Sequence, residues 1–167
     1  MSLFTRVLVA VDFSDFSRQA LRVAAELAEK FACRVLVLHV CNTPRAVDPA
    51  VLAGQDKAIK SLIELRQGAA RVARQRLAEW VAQERWGHGQ VEQEVLTGVP
   101  YKVITERARS FSADLIVMGS YGRSGFVRML IGSTTEKVLR KCDTAVLAVS
   151  THDSAGRAES QGDDAQK

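Results

Sequence analysis

Residues 7–40 read VLVAVDFSDFSRQALRVAAELAEKFACRVLVLHV, and the reading of this stretch decides the fold. Val7 to Val11 is an uninterrupted apolar run of strand length, the pattern of a strand covered on both faces. Asp12-Phe-Ser-Asp15 ends it. Ser14 or Ser17 can cap the helix that follows, because a side-chain oxygen there accepts a first-turn N–H. Ala20, Ala24, Leu27 and Phe31 then recur at helical spacing. Arg34 to Val40 repeats the buried-strand pattern, which makes a βαβ unit with a right-handed crossover and parallel strands.

Working outward, residues 42–56 contain Pro44, Pro49 and Gly54 and read as an irregular connection. A long helical pattern follows through Ile59, Leu62, Ile63, Ala70, Ala73, Leu77 and Trp80, with a bend expected at Gly68, where glycine costs about 1 kcal/mol relative to alanine. Val91 to Val95 alternates apolar and polar residues, as an edge strand with one wet face does. Pro100 suits the first turn of another helix. Ala113 to Gly119 is a fourth strand, Thr134 to Lys141 a short helix and Ala145 to Val149 a fifth strand. Five buried strands alternating with four helices imply an α/β fold, an open, doubly wound, Rossmann-like parallel sheet of order 3-2-1-4-5. Residues 1–150 form the one domain; the polar tail 151–167 lacks apolar residues and is expected to be disordered.

In such sheets ligands bind beyond the carboxyl ends of the strands, where the strand order reverses. Asp12, Val40 and Met118-Gly119 stand at those ends. The densest chemical signal begins there: GSYGRSGFVRMLIGST, residues 119–134, has the spacing G-x2-G-x9-G-[ST] between a buried strand and a helix. Glycines allow positive φ and close backbone approach to a ligand, and a helix N-terminus at Gly132, Ser133 and Thr134 offers unpaired amides to an anion. Phosphate is the natural recipient. Ser124 adds a hydroxyl, and Arg123 and Arg128 lie within the loop. Asp12 has two readings, a carboxylate for a sugar hydroxyl or Mg²⁺, and a turn residue that starts a helix.

The chain carries +4 overall; the tail holds four acids against Arg157 and Lys167, a net of −2, which leaves +6 on residues 1–150. That mild excess lies on helical polar faces without interleaved aromatics, so nucleic acid is not the expected partner. No apolar run reaches the roughly 20 residues of a membrane span, no leader pattern opens the chain, and a cytoplasmic location is expected. Cys33, Cys41 and Cys142 are odd in number and widely spaced, and His39, His88 and His152 are scattered; none is assigned chemistry. The absence of G-x4-GK[ST] disfavours a motor-type NTPase.

In these motifs the sequence resembles the universal stress proteins, in the branch that binds ATP. Val7-Leu-Val-Ala-Val-Asp12-Phe-Ser, Leu38-His-Val40, Gly98-Val-Pro100, Asp114-Leu-Ile-Val-Met-Gly-Ser120 and Gly132-Ser133 before Glu136-Lys-Val-Leu-Arg140 carry the resemblance over residues 4–149. It implies adenine near Val40 and the end of the first strand at Ala10, with Asp12 near the sugar. Ribose and phosphates would lie along Met118, Gly119, Gly122, Arg123, Ser124, Gly132, Ser133 and Thr134. The sequence departs from the common pattern at Tyr121, where His is frequent, and at Ala145, where Pro is usual. The resemblance further implies ATP, or ADP or AMP, with Mg²⁺, and a homodimer through Ala145 to Val149. The expected role is a nucleotide-dependent stress-response switch or sensor with an unknown protein partner. The competing readings are a slow ATPase, or an interaction protein that does not bind nucleotide.

Overall fold

The structure, a computed structural model, describes residues 3–42, 56–121 and 131–151. Along the chain run β1 (Arg6–Val11), α1 (Asp15–Phe31), β2 (Arg34–Asn42), α2 (Asp56–Ala82), β3 (Gln90–Gly98), α3 (Pro100–Phe111), β4 (Leu115–Gly119), α4 (Ser133–Lys141) and β5 (Ala145–Val149). The strands form one all-parallel sheet of order β3-β2-β1-β4-β5, as the sequence predicts. β1 lies between β2 and β4, with Val9 level with Val37 on one side and Val117 on the other.

Successive strand side chains point to opposite faces, so the apolar runs supply two cores at once. Val7, Val9, Val11, Val35 and Val37 pack under α1 and α2 with Leu21, Ala24, Leu77 and Trp80. Leu8, Ala10, Leu36, Leu38, Ile116 and Met118 pack under α3 and α4 with Ile104, Phe111 and Val138. The middles of β1, β2 and β4 are buried on both faces, which is why they read as near-continuous apolar runs.

The expectation of five buried strands is corrected at β5, whereas β3 is the edge strand with a wet face that its alternation predicts. β3 is half-exposed along most of its length, and β5 exposes Ala145, Leu147 and Ala148. An edge strand has one neighbour instead of two and a less complete helical cover. The long helix is corrected as well. It runs unbroken through Gly68, and its docked face begins only at Ala73, continuing through Leu77 and Trp80, while Ile63 is 49% exposed. Ile59, Leu62, Ile63 and Ala70 keep the helical period without belonging to the buried core.

Helix ends follow local chemistry. Ser14 caps α1, its Oγ accepting from the Ser17 N–H at 3.2 Å. Pro100 occupies the first turn of α3 behind Val99. Neither Ser133 nor Thr134 caps α4: the cap is Gly132, with no side-chain hydrogen bond, and Ser133 is already helical. The predicted tail lies outside the described residues apart from Thr151.

Candidate functional site

A cavity of about 790 Å³ opens at the carboxyl ends of β1, β2 and β4, where strand order reverses on either side of β1. Of the residues singled out in the sequence, Ala10, Asp12, Val40, Met118, Gly119, Gly132, Ser133 and Thr134 all line it. Gly122, Arg123 and Ser124 lie outside the described residues, as does Arg128. The topology thus brings together side chains more than 120 positions apart, with the ends of β1 and β2 forming one wall and the start of α4 another.

The start of α4 presents unpaired amides to the cavity. The Gly132 N–H donates to the Ser120 carbonyl at 2.8 Å, and the Glu136 N–H closes the first helical turn onto the Gly132 carbonyl at 2.9 Å. Between them, the amides of Ser133, Thr134 and Thr135 have no backbone acceptor among the described residues, and their residues border the cavity. The helix dipole adds to their pull on negative charge.

Thr135 is a site residue that the sequence reading missed. Its hydroxyl donates to the Gly119 carbonyl at 2.9 Å in a buried position, which ties the first turn of α4 to the end of β4. Its signal was present: Thr135 shares the inward face of α4 with Val138, three residues on.

At Gly119 close approach, rather than left-handed backbone, explains the glycine. Gly132 has φ −58°, and Gly119 is not among the described glycines with positive φ. A Cβ at Gly119 would fall 2.8 Å from the Phe16 Cβ and 3.0 Å from both the Phe16 carbonyl carbon and the Tyr121 oxygen, so no larger residue fits. The left-handed residue of the site is Phe13, at φ 65°, a conformation that strains a bulky aromatic. Phe13 is held there by neighbours. Its ring lies 4.4 Å from that of His39 and meets Trp80 edge-on at 5.3 Å.

His39, to which no role was assigned from sequence, is buried and borders the cavity. Its Nδ1 lies 2.7 Å from the Val11 carbonyl. A carbonyl only accepts, so the proton sits on Nδ1 and the ring cross-links the ends of β1 and β2. Asp12 follows Val11 directly. Its Oδ1 accepts from the Ser14 N–H at 3.0 Å and the Ser14 hydroxyl at 2.6 Å, so Asp12 does shape the turn into α1 while its residue also borders the cavity. Tyr121, at the departure from the common pattern, lines the cavity and lies 5.3 Å, ring to ring, from Phe16.

Among the described residues no group of three or more His, Cys, Asp or Glu is placed to hold a metal, and Asp12 is the single carboxylate on the cavity wall. Burial pushes the Cys33 thiol up, with the Asp114 charge adding to the effect, and a thiol so held is a poor nucleophile. No helix among the described residues is long and apolar enough to cross a membrane.

The model of the universal stress protein family matches residues 3–150. The universal stress protein MJ0531 of Methanocaldococcus jannaschii is 31% identical over 148 residues, covering 89% of this chain and 83% of its own. The solved structure of MJ0577, from the same organism, overlays with a TM-score of 0.71 at 24% identity and covers 91% of this chain and 99% of that one. A universal stress protein solved in complex with cAMP overlays with a TM-score of 0.56 at 24% identity, covering 91% of this chain and 100% of that one.

Proposed function

Because the chain belongs to the universal stress protein family, we propose that it is a stress-response switch whose state is set by an adenine nucleotide, ATP or its ADP and AMP products, bound beyond the carboxyl ends of β1, β2 and β4. The observation that carries this reading is the unpaired start of α4 facing a cavity large enough for a nucleotide. The amides of Ser133 and Thr134 take phosphate oxygens, with Gly132 leaving room for the approach. Gly119 and Met118 floor the ribose region, Asp12 accepts a sugar hydroxyl, and Ala10 and Val40 bound the base. Gly122, Arg123 and Ser124, which follow β4 in the sequence, are proposed as further phosphate contacts. The solved complex with cAMP supports a nucleotide as the kind of ligand this fold accommodates.

With one carboxylate on the described wall, the site suits Mg²⁺ carried on the nucleotide's phosphates, the way this ion is held when proteins supply few ligands. The described residues suit binding and orienting, and among them no hydrolytic centre is assembled. Phosphoryl transfer needs a group that orients the attacking water. The Asp12 Oδ1 is already engaged by Ser14, and Glu136 pairs with Arg140 at 3.3 Å on the outer side of α4. Turnover is therefore expected far below the roughly 1–100 s⁻¹ of kinases.

The switch works as a cytoplasmic homodimer through β5, a proposal supported by the apolar outer edge of Ala145–Val149 and by Leu147, 40% exposed. Nucleotide occupancy reaches that edge by a short path. The Gly132 N–H bonds the Ser120 carbonyl, and the Ser120 N–H bonds the Val149 carbonyl at 2.7 Å.

Native mass spectrometry of freshly purified protein tests the ligand: a co-purifying adenine nucleotide is the expected result. In calorimetric titration with MgATP, Gly132→Val is expected to lose at least tenfold in affinity while remaining folded. Unchanged affinity in a folded variant removes the α4 start from the site. A sedimentation run showing monomer alone at micromolar concentration removes the dimer.

A further inference from the structure

Arg76 projects from α2 onto the cavity wall, on the side away from the start of α4 in the sequence and in the fold. Its guanidinium lies 4.6 Å from the centre of the Phe13 ring and 5.8 Å from that of Trp80. Phe13 is the residue after Asp12, so this cation stands at the corner where the proposed sugar-binding carboxylate sits.

A second arginine on the same aromatic cluster shows what a structural role looks like here. Arg18 packs 3.6 Å over Trp80 and donates from Nη1 to the Gln83 side chain at 2.7 Å; it does not line the cavity. Arg76 has no carboxylate partner and no hydrogen-bond acceptor among the described residues, and it is the one cation on the described cavity wall. Phe13 orients it through the ring face, which fixes the guanidinium without consuming its N–H donors.

Nucleotide-binding α/β folds use one of two devices at the ribose: a carboxylate that accepts a free hydroxyl, or an arginine nearby that accommodates a phosphate on it. This cavity holds both residue types, Asp12 as the residue before Phe13 and Arg76 against the Phe13 ring. We propose that Arg76 recognises a phosphoryl group on the 2′ or 3′ position of the ribose, so that the site takes nucleoside bisphosphates in addition to nucleotides phosphorylated at the 5′ position alone. The inference rests on the nucleotide-binding reading above. A guanidinium fork matches a phosphate bidentately, and the attraction strengthens in a cavity that sheds water on binding.

The test compares dissociation constants for AMP, adenosine 2′,5′-bisphosphate and adenosine 3′,5′-bisphosphate by calorimetry at fixed ionic strength, in wild type, Arg76→Gln and Arg76→Lys. Thermal melts confirm that the variants fold. Wild type is expected to bind one bisphosphate isomer at least tenfold more tightly than AMP, and the isomer preferred identifies the hydroxyl. Arg76→Gln brings that ratio to within twofold of one, and Arg76→Lys restores part of it. Equal affinity of wild type for AMP and both bisphosphates overturns the proposal while leaving nucleotide binding intact. So does an Arg76→Gln variant that weakens all three ligands alike, which would place the guanidinium against the base. Failure of wild type to bind any of the three overturns the nucleotide reading itself and this proposal with it.

Discussion

Asp12 and Asp114 stand at opposite ends of the central strands and do different work with the same side chain. Asp114 precedes β4 at the amino ends. Its Oδ2 accepts from the Thr5 N–H and the Thr5 hydroxyl, both at 2.7 Å, and from the Arg6 N–H at 3.1 Å, and its own N–H donates to the Arg6 carbonyl at 2.9 Å. It thereby joins segments more than 100 residues apart. Asp12 follows β1 at the carboxyl ends, and its Oδ1 accepts from Ser14, two residues on. The amino ends are closed by this long-range polar clasp, whereas the carboxyl ends, joined by His39 to Val11 and by Thr135 to Gly119, open onto the cavity. One carboxylate fixes strand order, and the other shapes a turn beside a site.

The largest effect that this contrast predicts is on stability at the amino ends. Asp114→Ala leaves three donors without their acceptor, and hydrogen bonds to a charged group are worth about 1.5–3 kcal/mol each, less where water can substitute. A loss of about 3 kcal/mol is expected in chemical denaturation, with nucleotide affinity unchanged within twofold. Asp114→Asn, which retains one acceptor oxygen, should lose roughly half as much. A drop below about 1 kcal/mol, or a parallel fall in affinity, breaks the contrast.

Asp12→Ala should show the reverse balance. Loss of a local turn and cap contact costs about 1 kcal/mol, while affinity for ATP is expected to fall at least tenfold with the sugar contact gone. Calorimetry and denaturation on the same preparation separate the two effects. Should Asp12→Ala lose stability on the Asp114 scale and keep its affinity, Asp12 is a turn residue alone.

The fold was legible because the middles of β1, β2 and β4 are covered on both faces, which favours apolar residues at successive positions and so writes the element into the sequence. The edges were less legible. Leu147 and Ala148 keep β5 apolar although they are exposed, so composition alone could not separate a covered strand from an open edge. On α2, Ile59 and Ile63 hold the same period as Ala73 and Leu77, yet periodicity is a property of the helix and docking a property of what lies opposite. On the cavity wall, Gly132, Ser133 and Thr134 were readable because a buried strand and a helix flank glycines at that spacing. Phe13, His39, Arg76 and Thr135 were not, since each matters through a neighbour far off in sequence: Phe13 through Trp80, His39 through Val11, Thr135 through Gly119.

Sharpening the contrast between the two ends calls for a polar contact that belongs to neither, and the Glu94–Arg107 pair supplies the smallest predicted effect. It joins β3 to α3 with Arg107 Nε donating to Oε2 at 2.7 Å and Nη2 to Oε1 at 2.6 Å, a bidentate, partly exposed pair. The Arg107 hydrogen bonds hold the Glu94 carboxyl below the usual glutamate range despite the opposing effect of burial. A carboxylate with a depressed folded-state pKa stabilises the fold above its unfolded value of about 4.3, and the contribution disappears as pH falls through the folded value. Glu94→Gln should therefore cost about 1 kcal/mol at pH 7, given partial solvent screening, and the gap from wild type should close progressively below about pH 4. Denaturation series at matched ionic strength from pH 7 to pH 3 measure this. Nucleotide affinity at pH 7 should be the same in both proteins, because the pair touches neither the Asp114 clasp nor the cavity. A stability gap that persists at the lowest pH would mean that Glu94 acts through packing of its side chain, and an affinity change would mean that β3 helps to shape the cavity beyond Val40.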